Sequence, residues 1–320
     1  MSPRSAVLGA LLALAAVGCD REAPPARSGP FPAVRCAGLQ PTEPPATLGG
    51  FHLETESHVL RVKRTAGKEA PWRILLLAGP APGRRLPAGA TGAVRASQAD
   101  LVLSLGDVGD DPATARSTLQ ALAAAGRPVL VLPGGRDEPE VLAEASADLA
   151  HVLPLTGWHV LQPSGAPPLV LLPGAPPSAP ARSKRACGHD ALDVEQTAAS
   201  ARRVTARGRP WVLAWAAPLQ PAGPSTDRLG PLGAEGGART TRRLVEQLRA
   251  CGWVAAWPRG VGRRVGAPEK GCDGGLLLPA WSRAAGRTPD GTLRPPPASP
   301  PVWLLASSET GWQLRSISKQ

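Results

Sequence analysis

Apolar and polar positions along this chain follow two alternating periods. Runs of four to six apolar residues, the length of buried strands, lie at Arg73–Ala78, Leu101–Leu105, Val129–Leu132, Leu169–Leu172, Trp211–Trp215 and Trp253–Trp257. His58–Arg64 and Trp158–Gln162 also read as strands, and Val302–Ala306 with Trp312–Ile317 as a closing hairpin around Ser308 to Gly311. Between them, helical spacing runs through Thr91–Gln98, Pro112–Ala125, Glu138–Leu149, Asp190–Arg207 and Arg239–Ala250. Pro112 opens its helix and Gly126 stops it. Asp190–Arg207 is acidic in its first turn and basic in its last, as the helix dipole prefers. Gly260–Gly275 and Arg283–Pro301 read as long irregular loops. The order predicts an α/β domain with apolar, parallel-type strands and its functional residues at their C-terminal ends.

The first residues depart from this pattern. A short basic start, Met1 to Arg4, precedes an uncharged run from Ala6 to Val17, the length of a signal-peptide core and too short to span a bilayer comfortably. It ends in Ala16-Val17-Gly18-Cys19, which resembles the lipobox of bacterial lipoproteins and implies lipidation of Cys19. Several acyl chains on one cysteine anchor a protein far more firmly than a single chain. Residues 1–18 are therefore expected to be a signal peptide and 19–50 a Pro-rich tether. Residues 51–320 form the expected domain, held outside the cytoplasm in the cell envelope. Whether the membrane is inner or outer stays open.

Composition changes little of this. Pro and Gly number 38 and 36 of 320 residues, yet an apolar share of 42% belongs to a globular body. The net charge of +11 favours anionic headgroups or cell-wall polymers as neighbours, and no motif for nucleic acid is present. Apart from Cys19, the cysteines are Cys36, Cys187, Cys251 and Cys272. An exported chain with this even number allows two disulfides in three connectivities; Cys251 with Cys272 and Cys36 with Cys187 is the favoured pairing.

Two strand ends carry the sharpest motifs: Gly106-Asp107-Val108-Gly109-Asp110-Asp111, and Pro133-Gly134-Gly135-Arg136-Asp137. Strand, GDxxD loop, helix, strand and PGxxD in that order resemble the calcineurin-like metallophosphoesterases. The resemblance implies a sandwich of two mixed β-sheets flanked by helices. Members of that family hold two metal ions with Asp-x-His, the Asp of GDxxD, the Asn of GNH[DE] and later His residues, and a metal-bound water attacks the phosphate. Here Gly79-Pro80-Ala81 stands at the first motif, Gly135 at the Asn and Arg136 at the general-acid His. Ala216-Ala217-Pro218 and Ala256-Trp257-Pro258-Arg259 stand at the last two. The chain contains no Asn, and its last His is His189, so no shift of alignment restores these ligands. Only Asp107 is retained.

The resemblance thus implies a domain without catalysis, without cofactor, acting by binding an anionic ligand or an envelope protein. If the fold holds, Arg136 and Arg259 face Asp107 and Asp137, either as a structural ion-pair cluster or as a pocket whose guanidinium forks take an anion. Asp107, Asp110, Asp111 and Asp137 alternatively make a site for one hard cation, although Asp110 or Asp111 before Pro112 also suits a helix cap. His189-Asp190 is a possible pair, but no GxSxG accompanies it, and Asp190 suits a cap. Equal parity places Trp211 with Trp215, and Trp253 with Trp257, in the core or a pocket wall. Two alternatives stay open: a metal-dependent phosphoric ester hydrolase with a single-metal site on Asp107, and an unrelated solute-binding lipoprotein with two lobes about a cleft.

Overall fold

The computed structural model describes residues 34–65, 70–80, 86, 90–176, 185–204, 208–215, 234–257, 263–265, 272, 274–279, 286–287, 293–294, 302–308 and 311–317. Residues from Phe31 onward form one compact unit. Among the described residues, two large mixed sheets and five α-helices build it. In the six-stranded sheet, Arg73–Leu77, Leu101–Ser104, Val129–Val131 and Val152–Pro154 run parallel. The hairpin of Val302–Ser308 and Gly311–Ile317 adds to its edge antiparallel to Arg73–Leu77.

The nine-stranded sheet has a parallel half and a meandering half. Leu169–Leu172, Trp211–Ala214, Gly252–Trp257 and Gly274–Pro279 are parallel neighbours. Val160–Pro163, Val59–Arg64, Phe51–Glu56 and Thr47–Leu48 extend the other side. Period-2 patterning sends alternate residues of each apolar run to opposite faces. Ile74 and Leu76 enter the core between the sheets with Leu171, Trp211 and Leu213. Leu75 and Leu77 face the helices Ala90–Ala96, Pro112–Ala123 and Pro139–Ser146. On the far side, Val170 and Val212 meet the helices Ala191–Arg203 and Ala234–Leu248. The layers are helix, sheet, sheet, helix.

Local chemistry explains the helix starts. Asp111, not Asp110, caps Pro112–Ala123, its carboxylate accepting the Thr114 N–H at 2.9 Å. Asp190 caps Ala191–Arg203 through a capping box with Asp193. No described helix is long and apolar enough to cross a membrane.

Several readings of the sequence change. Residues 34–50 are not tether: Val34 and Arg35 pair with Cys187 and Gly188, and Cys36 and Ala37 are fully buried. Phe51–Glu56 is a strand, its alternating Phe51 and Leu53 being buried while its other side chains are exposed. Val152–Pro154 is a further short strand at the sheet edge. Gly274–Pro279 and Arg263–Val265 are strands inside a stretch read as loop and just beyond it. Within Arg283–Pro301, Gly286–Arg287 pairs with Leu293–Arg294. The four cysteines form two disulfides, Cys36–Cys187 and Cys251–Cys272, the favoured pairing. Residues 1–33, Cys19 among them, lie outside the described residues, as do Ala81, Ala216 to Pro218, and Pro258 with Arg259.

Candidate functional site

Five strand ends meet at the C-terminal edge of the two sheets. From the six-stranded sheet come Gly79, Gly106-Asp107 and Gly134 to Asp137; from the other come Gly174-Ala175 and Trp215. Backbone bonds join the loops: Gly79 N–H donates to the Gly106 carbonyl at 2.9 Å, and Gly174 N–H to the Pro133 carbonyl at 2.8 Å. Gly106 and Asp107 are both left-handed, at φ 75° and 57°. Asp is among the few side chains that tolerate this conformation.

Asp137 ties the turn together. It is fully buried, and its carboxylate accepts the N–H groups of Asp107 at 2.6 Å, Gly134 at 2.7 Å and Val108 at 3.1 Å. Burial, reinforced by the nearby charge of Asp107, raises its pKa to about 7; the three backbone donors only partly oppose this. Asp137 is therefore a structural hub whose negative charge is held back, and no cation lies against it in an ion pair among the described residues.

Asp107, 4% exposed, is engaged at both oxygens. Oδ1 accepts the backbone N–H of Arg136 at 3.2 Å, and Oδ2 accepts the indole N–H of Trp215 at 2.9 Å. The Arg136 side chain goes elsewhere. Its Nε donates to Asp110 at 2.8 Å and its Nη2 contacts the same oxygen, so the expected contact with Asp107 and Asp137 is corrected to a pair with Asp110. That guanidinium is 7% exposed, and its Nη1 has no acceptor among the described residues. Arg259 lies outside them.

The residues present do not fit the two-metal site that the motif resemblance implies. At Gly79, a Cβ would lie 2.2 Å from the carbonyl oxygens of Gly106 and Asp107. At Gly135, it would lie 2.7 Å from the Ala175 Cβ and 3.1 Å from two ring atoms of Trp215. Real Cβ atoms do not approach so closely, so neither an Asp at 79 nor an Asn at 135 fits this backbone. Trp215 stands over Gly135 and offers a hydrogen-bond donor where a cation would take a carboxylate lone pair. Divalent cations need three or more converging donors. Among the described residues no group of three His, Cys, Asp or Glu side chains converges. Asp110 serves Arg136, Asp111 caps a helix and Asp137 serves backbone, so the acidic-cluster reading is corrected as well.

Other candidates fall into structural roles. His189 is buried, with Nδ1 donating to the Pro173 carbonyl at 2.9 Å and Nε2 3.0 Å from Thr240 Oγ1; burial lowers its pKa. Asp190 caps its helix, so no His189–Asp190 pair forms. Trp211 is core, whereas Trp215 is half-buried on Asp107. Its parity left core and pocket wall both open, and nothing local in the sequence marked Asp110 as the partner of Arg136.

No protein-family model matches the sequence, and no curated protein matches it. Two crystal structures align at 13% identity and TM-score 0.50, one of them of TT1561 of Thermus thermophilus. They cover 78% and 77% of this chain and 100% and 99% of their own, and this likeness carries the fold alone.

Proposed function

We propose that this is a lipid-anchored envelope protein whose folded unit derives from the metallophosphoesterase plan and acts by binding, without metal catalysis. What supports the plan is the helix–sheet–sheet–helix layering, with the GDxxD and PGxxD loops adjacent at the strand ends. A single core shared by both sheets speaks against a two-lobed solute-binding component. One observation carries the loss of catalysis: Trp215 donates to Asp107 Oδ2 while standing over Gly135, in the space that ligands would need. Among the described residues the metal-dependent hydrolase reading finds no second ligand beside Asp107.

Arg136 supplies the binding half of the proposal. A guanidinium nitrogen buried without an acceptor leaves a desolvated donor. An anionic group (phosphate, sulfate or carboxylate) entering beside Trp215 would satisfy Nη1. Nε and Nη2 both donate to one oxygen of Asp110, which holds the guanidinium in place.

The test is elemental analysis of the chain lacking residues 1–19, after incubation with manganese, iron, zinc and calcium and then desalting. Near-zero stoichiometry is expected. One ion or more per chain, lost on Asp107→Ala, would overturn the reading. Anion binding is tested by thermal shift with phosphate and sulfate, which is expected to raise Tm for the native chain but not for Arg136→Ala. The anchor is tested by mass spectrometry of the membrane fraction, with acyl chains expected on Cys19.

A further inference from the structure

A cleft of about 370 Å³ shares no residue with the Asp107 cluster. The 3-10 turn Cys36–Gly38, the stacked rings of His58 and His159, and the helix Ala191–Arg203 enclose it. Gln40, Gln196, Ser200 and Arg203 complete its polar lining.

Both ring nitrogens of His159 are engaged, and their partners fix the tautomer. Nε2 lies 2.8 Å from the Ala37 carbonyl oxygen, which only accepts, so Nε2 carries the proton. Nδ1 lies 2.8 Å from Ser200 Oγ and must accept, so the Ser200 hydroxyl donates to it. Burial chiefly, with the neighbouring His58 ring adding to it, lowers the His159 pKa to about 4 and keeps this neutral form at ordinary pH. His58 stacks at 4.2 Å between centroids and 8° between planes, and its Nδ1 donates to the Gly157 carbonyl at 2.7 Å. The Cys36–Cys187 bridge anchors the turn that carries Ala37. The base is thus held on three sides.

A serine in a helix ordinarily turns its hydroxyl back to the carbonyl four residues earlier. Ser200 instead gives its proton to a neutral imidazole whose other nitrogen is oriented by a fixed acceptor. That is the geometry of a nucleophile and its general base. Gln196 and Arg203 lie four before and three after it, on the same helix face and in the same cleft. Arg203 lines the cleft and has no carboxylate partner among the described residues.

We propose that Ser200 is a nucleophile, His159 its general base, and the cleft an acyl-transfer site for small carboxylic esters. Ser200 Oγ would bond to the ester carbonyl carbon as its proton passes to His159 Nδ1. The acyl–oxygen bond then breaks, and the alcohol leaves with that proton. Water adds to the acyl-serine through the same base, releasing the carboxylic acid and restoring the hydroxyl. Arg203 and Gln196 supply donors for the negative oxygen of each tetrahedral stage. So weakly basic a ring makes slow turnover, and trapping is the sharper assay.

The experiment treats the folded chain with a fluorophosphonate probe and maps the adduct by peptide mass spectrometry, with heat-unfolded protein as control. One adduct per chain on the peptide carrying Ser200 is expected, absent from Ser200→Ala and from the unfolded control. Labelling of His159→Gln, if it folds, is expected to slow by about 100-fold or more, the usual contribution of a general base. No adduct on the native chain, or equal adduct on Ser200→Ala, would overturn the proposal. The outcome is independent of metal content and anion binding at Asp107 and Arg136.

Discussion

Replacing Trp215 with Phe tests whether its indole N–H is what holds Asp107. The change keeps most of the ring in place and removes one donor, 2.9 Å from Oδ2. Asp107 is 4% exposed, so little water is at hand to replace that donor. A hydrogen bond to a charged group contributes about 1.5–3 kcal/mol, and stranding its acceptor costs a similar amount. Trp215 is itself half-buried, so some water follows the smaller ring, and the expected loss is about 1–2 kcal/mol. Urea unfolding followed by circular dichroism, on the native chain, Trp215→Phe, Asp107→Ala and the double variant, isolates the pair. Residues in contact couple by about 0.5–3 kcal/mol, and a coupling near 1 kcal/mol is expected here. Additivity within about 0.3 kcal/mol would refute the assignment. Trp215→Ala supplies a second check, since Gly79 and Gly135 offer no donor side chain and Asp107 alone should not hold a divalent ion. Metal uptake by that variant would show that the indole alone blocks the site.

Three further outcomes follow from the same geometry. Gly135→Asn forces a Cβ to 2.7 Å from that of Ala175 and should cost about 1–3 kcal/mol, read as a fall in Tm of about 2–10 °C; an unchanged Tm would mean the loop yields freely. Asp137 has a folded pKa near 7, above the unfolded carboxylate value, so its contribution is full below about pH 4 and lost as pH rises to 7. Between about pH 4 and 7 this term removes stability as pH rises, while the lowered pKa values of His159 and His189 add it. The Asp137 term is therefore read as the difference between the native and Asp137→Asn profiles; parallel profiles would contradict the raised pKa. Removing the Cys36–Cys187 bridge as a double alanine variant opens a closure spanning 151 residues and should cost about 4–5 kcal/mol by loop entropy. A denaturation midpoint unmoved by that change would show that Val34 to Gly38 docks without it.

Much of the architecture was legible along the chain because apolar runs and helical spacing are local signals. The strands at Arg73, Leu101, Val129, Leu169, Trp211 and Trp253 and the five described α-helices were placed from pattern, and Asp190 was read as a cap from its position. The tether was misjudged because Pro-rich composition hides a segment whose order comes from a bridge to Cys187. Gly274-Gly275 looked like a loop for a related reason. Glycine there makes room for the Trp253 ring, which a Cβ at Gly275 would meet at 2.1 Å, just as Gly252 makes room for Trp211.

By itself the sequence determined which chemistry is missing: a chain without Asn, and without His beyond 189, cannot supply those ligands in any fold. It also determined that Asp107 and Asp137 lie in loops after successive strands. Only the tertiary structure decided their partners. Arg136 turned to Asp110, Trp215 came 108 residues to reach Asp107, and Ser200 met His159 across 41. Hydrogen-bond partners are selected by directions and distances of about 3 Å, set where separate strands and helices pack together. Periodicity along one element records which face is buried, and carries no record of what waits on the other side.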